Sequence, residues 1–132
     1  MNSNSPLRVF TLECNNETRT ISPHVRYISP ANVLKDLYKI INCDCVTCTE
    51  IQVNGKFFDV WSDDEALLKD KPAPNLYIDD DLIIFGSVVF AKSDKEGSFV
   101  GLEREDVHLL WNFAQSQFPK LLNFLERQRR NL

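Results

Sequence analysis

Glycine is scarce in this chain, with four residues in 132, and that scarcity removes a class of sites. A loop that cradles phosphate with backbone N–H groups needs glycines in close succession. Neither G-x-x-x-x-G-K-[S/T] nor G-x-G-x-x-G occurs. Histidine is scarcer still: His24 and His108 are the only two. There is no H-E-x-x-H metal motif and no G-x-S-x-G nucleophile elbow. A Cys–His nucleophile pair would have to be assembled by the fold. An enzyme is therefore not expected, and no cofactor is implied. Long hydrophobic runs are also missing. The longest, Leu82 to Ala91, is far short of the roughly 20 residues that a membrane-spanning helix needs. The start, MNSNSPLR, has no basic cluster with an apolar stretch behind it, so no signal peptide is read and a cytoplasmic location is expected.

What is present is globular in kind. Hydrophobic residues make up 43% and charged residues 26% of the chain, which excludes a disordered composition. The length suits one domain, 1–132, able to bury a core without disulfide staples. Residues 1–6 are expected to be disordered. The net charge of −4 argues against phosphate-backbone binding as the main task. Arg127, Arg129 and Arg130 form one candidate basic patch that could touch nucleic acid, although arginines at a helix C-terminus more often complement its dipole.

Local patterns predict the elements. Leu7–Glu13 reads as a central strand, since both of its alternating sets are largely apolar. Asn15-Asn16 is turn chemistry, and Glu17–Ile21 is the returning strand. Ser29-Pro30 predicts a helix start, with Val33, Leu34, Leu37, Ile40 and Ile41 as its buried face and Asn42 as its end. Asn54-Gly55 between β-prone runs predicts a tight hairpin, with Lys56–Trp61 as the second strand. Ser62–Glu65 is read as the cap of a short helix, Glu65–Lys69, and Lys71–Asn75 as a loop. Leu82–Ala91 reads as one central strand carrying a bulge or close approach at Gly86. A turn over Ser93–Gly97 and a short strand over Ser98–Gly101 follow. Residues 103–130 are helical, kinked or split near Pro119. The fold class is α+β: a mixed, mainly antiparallel sheet of about six strands, helices packed on one face, and a long C-terminal helical segment.

Three stretches carry a family resemblance. They are Val33-Leu34-x-x-Leu37 followed by Ile41–Thr47; Lys56–Trp61; and Leu82–Ala91 with Glu96–Leu102. In order and pattern they resemble an uncharacterised domain-of-unknown-function family of small phage, plasmid and large-virus proteins, over about residues 7–110. Asn42-Cys43 stands where that family has Gly-Gly, and the tail from about Asn112 is longer. The resemblance implies a viral or mobile-element origin and supplies no activity.

Cys43-x-Cys45-x-x-Cys48 has metal-ligand spacing, with Cys14, His24 or His108 as a fourth ligand. Strand-like alternation, sending Cys43 and Cys45 to one side and Cys48 to the other, favours plain thiols over zinc. Asp63-Asp64-Glu65 and Asp79-Asp80-Asp81 could hold a divalent cation but match no calcium loop, and they read as loop and cap residues.

The last helix says most about partners. At about 100° per residue, Val107, Leu110, Trp111, Ala114, Phe118, Leu121, Leu122 and Leu125 form the expected core stripe. Leu109, Phe113 and Phe124 fall on a second flank and are the expected partner-binding residues. The reading is a non-enzymatic interaction protein acting on a host or viral macromolecule, with a protein partner or a second copy bound through the aromatic helix. The first alternative is sequestration of a small nucleotide-like ligand in a pocket lined by Arg26, Tyr27 or Lys56. The second is a zinc-stabilised domain binding nucleic acid through the terminal arginines.

Overall fold

The computed structural model describes residues 5–131. The expected disorder of 1–6 lies outside it for residues 1–4; Ser5 and Pro6 are exposed and belong to no element. In chain order the elements are β1 (Leu7–Asn15), β2 (Thr20–Ile28), α1 (Val33–Ile41), β3 (Val46–Val53), β4 (Lys56–Asp63), a 3-10 turn (Ala66–Leu68), β5 (Pro74–Asp79), β6 (Leu82–Phe85), β7 (Val88–Ser93), β8 (Phe99–Val100) and α2 (Arg104–Arg130). The class is α+β, with a main sheet of six strands in the order β2-β1-β7-β4-β3 and β8 beside β7. Every described pairing in it is antiparallel. A separate antiparallel ribbon joins β5 and β6.

Side chains of a strand alternate between faces, and both faces of this sheet are covered. Phe10, Leu12, Val60, Val88 and Phe90 point to one core, shared with Leu76 and Ile84 of the ribbon and Leu110 of α2. Val9, Val89 and Ala91 point the other way, onto Leu37 and Ile41 of α1. The helices therefore take opposite faces instead of the single face expected. The cause is legible in β1 and β7, whose alternating sets are both apolar and both need cover.

Several local expectations hold and several shift. Asn54 and Gly55 both have positive φ, 50° and 82°, and Val53 faces Lys56 in register, so the tight hairpin is as read. Asn42 ends α1 in the left-handed conformation. The helix itself starts three residues later than Ser29-Pro30 implies. Ser29 to Asn32 closes a turn by a backbone bond of 3.0 Å, and the Asp36 carboxylate accepts the Ser29 N–H. Glu65–Lys69 is only a 3-10 turn, because Ser62 and Asp63 stay in β4. The expected loop at Lys71–Asn75 already contains the start of β5.

The largest departure is Leu82–Ala91, which is two strands and not one. Gly86 has φ 81°, a conformation that side chains resist, and its N–H reaches the Ala73 carbonyl at 2.7 Å. The chain turns there, leaving β6 in the ribbon and sending β7 between β1 and β4. Asn75 clamps the corner: its Nδ2 donates to the carbonyls of Leu12 and Gly86 at 3.0 and 2.7 Å. The C-terminal segment is one helix through Pro119. Among the described residues no helix is long and apolar enough to cross a membrane.

Candidate functional site

The position of α2 decides which of its side chains are open. Its N-terminus is fixed by a capping box, in which the Asp106 carboxylate accepts the Glu103 N–H at 2.9 Å. The Asp106 side chain is wholly buried and also pairs with Lys56 and Lys92, each at 2.8 Å. Burial pushes its carboxyl up, but the bonds from Lys56, Lys92 and the Glu103 amide outweigh it and hold the group at about 2. Farther along, Gln117 donates to the Tyr77 carbonyl at 2.7 Å, the Phe124 ring packs at a tilt beside that of Tyr77, and Arg127 pairs with Asp80. These contacts lay α2 over the β5–β6 ribbon.

That orientation keeps Leu110 and Leu121 of the expected stripe buried, with Val107 and Ala114 against the core, and turns the other edge of the stripe outward. Leu109 and Phe113 are partly buried against the core, and Phe124 is partly buried beside Tyr77. Their expected exposure is therefore corrected. The open apolar residues are Trp111, Phe118 and Leu122, exposed by 38, 52 and 50%, although periodicity assigned them to the core stripe. A helix apolar over a wide arc can turn either flank inward. Only the ribbon, at a place that periodicity does not give, decides between them.

Beside this edge runs an open groove of about 580 Å³. Leu12 and Leu76 contribute to its lining from the core, Ile21 and Pro23 from β2, and Trp111, Ala114 and Phe118 from α2. The register explains it. Pro23 pairs with Leu12 and Val25 with Phe10, so β2 turns the same face to the helix side as β1 does. Helix α2 covers β1, with the Trp111 ring edge-on to Phe10 at 6.5 Å. It leaves Val25 and Tyr27 of edge strand β2 open. Asn75, almost wholly buried, also lines the groove, and its carbonyl oxygen finds no hydrogen-bond donor among the described residues.

The other sequence candidates are placed apart. Among the described residues no three His, Cys, Asp or Glu side chains gather as a cation site. Cys43 and Cys45 lie in the connection before β3, Cys43 packing toward α1 and Cys45 facing Asp64. Cys48 lies within β3, paired with Trp61 of β4. Burial raises all four thiols, helped at Cys45 by Asp64 and at Cys48 by Asp59 and Glu50. Cys48 is pushed up to about 11. A nucleophile or metal ligand needs the thiolate, so these environments work against both roles. His24 stands in β2 beside Ser22, and His108 is exposed on α2. Arg26 is clamped by Glu13 through two bonds of 2.9 Å, Tyr27 sits under Arg8, and Lys56 is held by Asp106, so these three do not line one pocket. Asp63 is paired with Lys69. Asp79 accepts the Asp81 N–H in the β5–β6 turn, and the Tyr77 hydroxyl holds Asp80 below its usual range. Among the terminal arginines, Arg127 takes Asp80 while Arg129 and Arg130 approach Glu126.

A family model described as a domain of unknown function, DUF3846, matches residues 14–115, and the chain belongs to that family. No curated protein and no solved structure matches the chain.

Proposed function

We propose that this member of the DUF3846 family is a non-enzymatic interaction protein of a virus or mobile element, acting in the cytoplasm on a host or viral macromolecule. The contact surface is the exposed edge of α2. The observation that carries the reading is the open row Trp111, Phe118 and Leu122 beside an apolar groove. Large aromatic side chains dominate the energetics of protein interfaces, and contiguous apolar surface is normally kept covered. Affinity capture from source-cell lysate, comparing the unaltered chain with Phe118→Ser and Leu122→Ser, tests it. A protein captured by the first and lost with either substitution supports the reading, and identical capture by all three removes it.

A second reading, sequestration of a small nucleotide-like ligand, draws on the same groove. The Asn75 carbonyl oxygen, without a donor among the described residues, and the neighbouring Arg19 are the polar groups that would orient such a ligand. A thermal-shift screen with nucleotides separates the two: a rise that Trp111→Ala abolishes favours the ligand. The zinc-stabilised nucleic-acid reading draws no support from the raised thiols or the paired arginines.

A further inference from the structure

We propose that a second copy of this chain docks on the exposed edge of α2, the two α2 helices running antiparallel about a two-fold axis. This rests on the reading of that edge as a binding surface and names its occupant.

The exposed residues Trp111, Gln115, Phe118 and Leu122 form one stripe, spanning about 60° of arc at 100° per residue. The steps between them are four, three and four, an order that reads the same from either end. A two-fold interface must be self-complementary, and an antiparallel pair of these stripes is. Trp111 then faces Leu122 of the second copy, and Gln115 faces its Phe118. The bulky apolar ends of the stripe meet each other, and the shorter polar Gln115 meets a large ring.

Charge agrees. From Val107 to Pro119 the helix carries no Asp, Glu, Lys or Arg, although much of this stretch faces solvent. Depletion of charge marks the centre of protein interfaces. It gives no handle to a polyanion or to a charged peptide.

Area agrees as well. With the exposures of Trp111, Phe118 and Leu122 already given, and Val25, the strand partner of Phe10, open by 44%, the apolar patch amounts to on the order of 400 Å² per copy. Two copies would together bury about 800 Å² of it, within the range of weak, reversible interfaces. The groove beside the stripe supplies the concave surface into which the ring of the second copy fits.

The test is sedimentation equilibrium of the full chain over a wide concentration range, with a reductant present so that exposed Cys45 and Cys48 form no disulfide. The expected mass is twice the 15.3 kDa chain mass. Phe118→Lys and Leu122→Lys, each checked by circular dichroism, should raise the dissociation constant about tenfold or more. Adding Gln115→Glu to Phe118→Lys should restore the dimer, because the new carboxylate and ammonium face each other across the axis. If Phe118→Lys fails to fold, Leu122→Lys carries the test. A chain that is monomeric at every concentration overturns the proposal, as does a dimer that both lysine substitutions leave intact. If the chain is monomeric and Phe118→Ser still abolishes partner capture, the dimer falls while the interaction reading stands.

Discussion

Lys56 and Asp106 are 50 residues apart in sequence and 2.8 Å apart in space, joining the start of β4 to the first turn of α2. Lys92 of β7 reaches the other carboxylate oxygen at the same distance. One buried carboxylate therefore caps the long helix and ties it to two strands of the sheet.

Asp106→Ala should destabilise the protein by about 2 kcal/mol, the sum of a lost cap and a lost partner for two lysines that can still reach water. Urea denaturation at neutral pH measures it, and a midpoint within error of the unaltered protein would remove Asp106 from this role.

The same carboxylate sets a pH dependence. Its folded value of about 2 lies below its ordinary 3.8, so its contribution is fully present above pH 4. It is lost as pH falls from about 4 to about 2, and amounts to about 2 kcal/mol. Between pH 4 and pH 2 the unaltered chain should lose more stability than Asp106→Asn, bringing the two closer together. Parallel loss in both would place the acid sensitivity elsewhere.

At the β3–β4 turn, Gly55→Val should cost about 1–2 kcal/mol. Among the described residues no atom beyond its chain neighbours lies within 4 Å of where its Cβ would stand, so the cost is conformational and not a clash. A lowered melting temperature is the expected readout, and Gly55→Asn should recover part of it.

The two flanks of α2 should respond differently to serine. Phe113→Ser removes a ring packed against the core and should destabilise by about 2 kcal/mol. Phe118→Ser, on the exposed edge, should change the stability of the monomer by less than about 0.5 kcal/mol. Thermal melts at low protein concentration distinguish them, and equal losses would show that both flanks face the core.

Cys48, pushed up to about 11, should alkylate slowly at pH 7.5, roughly a hundredfold more slowly than an unperturbed thiol. Its rate should climb steadily toward pH 11. Mass-mapped iodoacetamide labelling reads this site by site, and rapid labelling at neutral pH would contradict the assigned environment.

Much of the fold was legible because it depends on neighbours in sequence. Asn54-Gly55 specifies its turn through the backbone angles those two residues tolerate. Asn42 stops α1 for the same reason, and the two apolar sets of Leu7–Glu13 call for a strand covered on both faces. The break at Gly86 was partly legible, since glycine marked the spot. That it separates two sheets depends on the Asn75 side chain, which holds the corner from eleven residues away. The start of α1 was misplaced because Ser29 gives its N–H to Asp36 and closes a turn, a competition between nearby polar groups that the Ser-Pro pattern does not reveal.

The sequence by itself determined that α2 is apolar over an arc too wide for one contact, and that some of it would be left open. Periodicity is a property of one helix and has no reference direction outside it. The choice of which flank is open was made by the β5–β6 ribbon, through Tyr77 beside Phe124 and its carbonyl on Gln117, and by the buried Asp106 that fixes the first turn. Those contacts span 40 to 50 residues of chain. They turn Leu109 and Phe113 toward the core and leave Trp111, Phe118 and Leu122 outside.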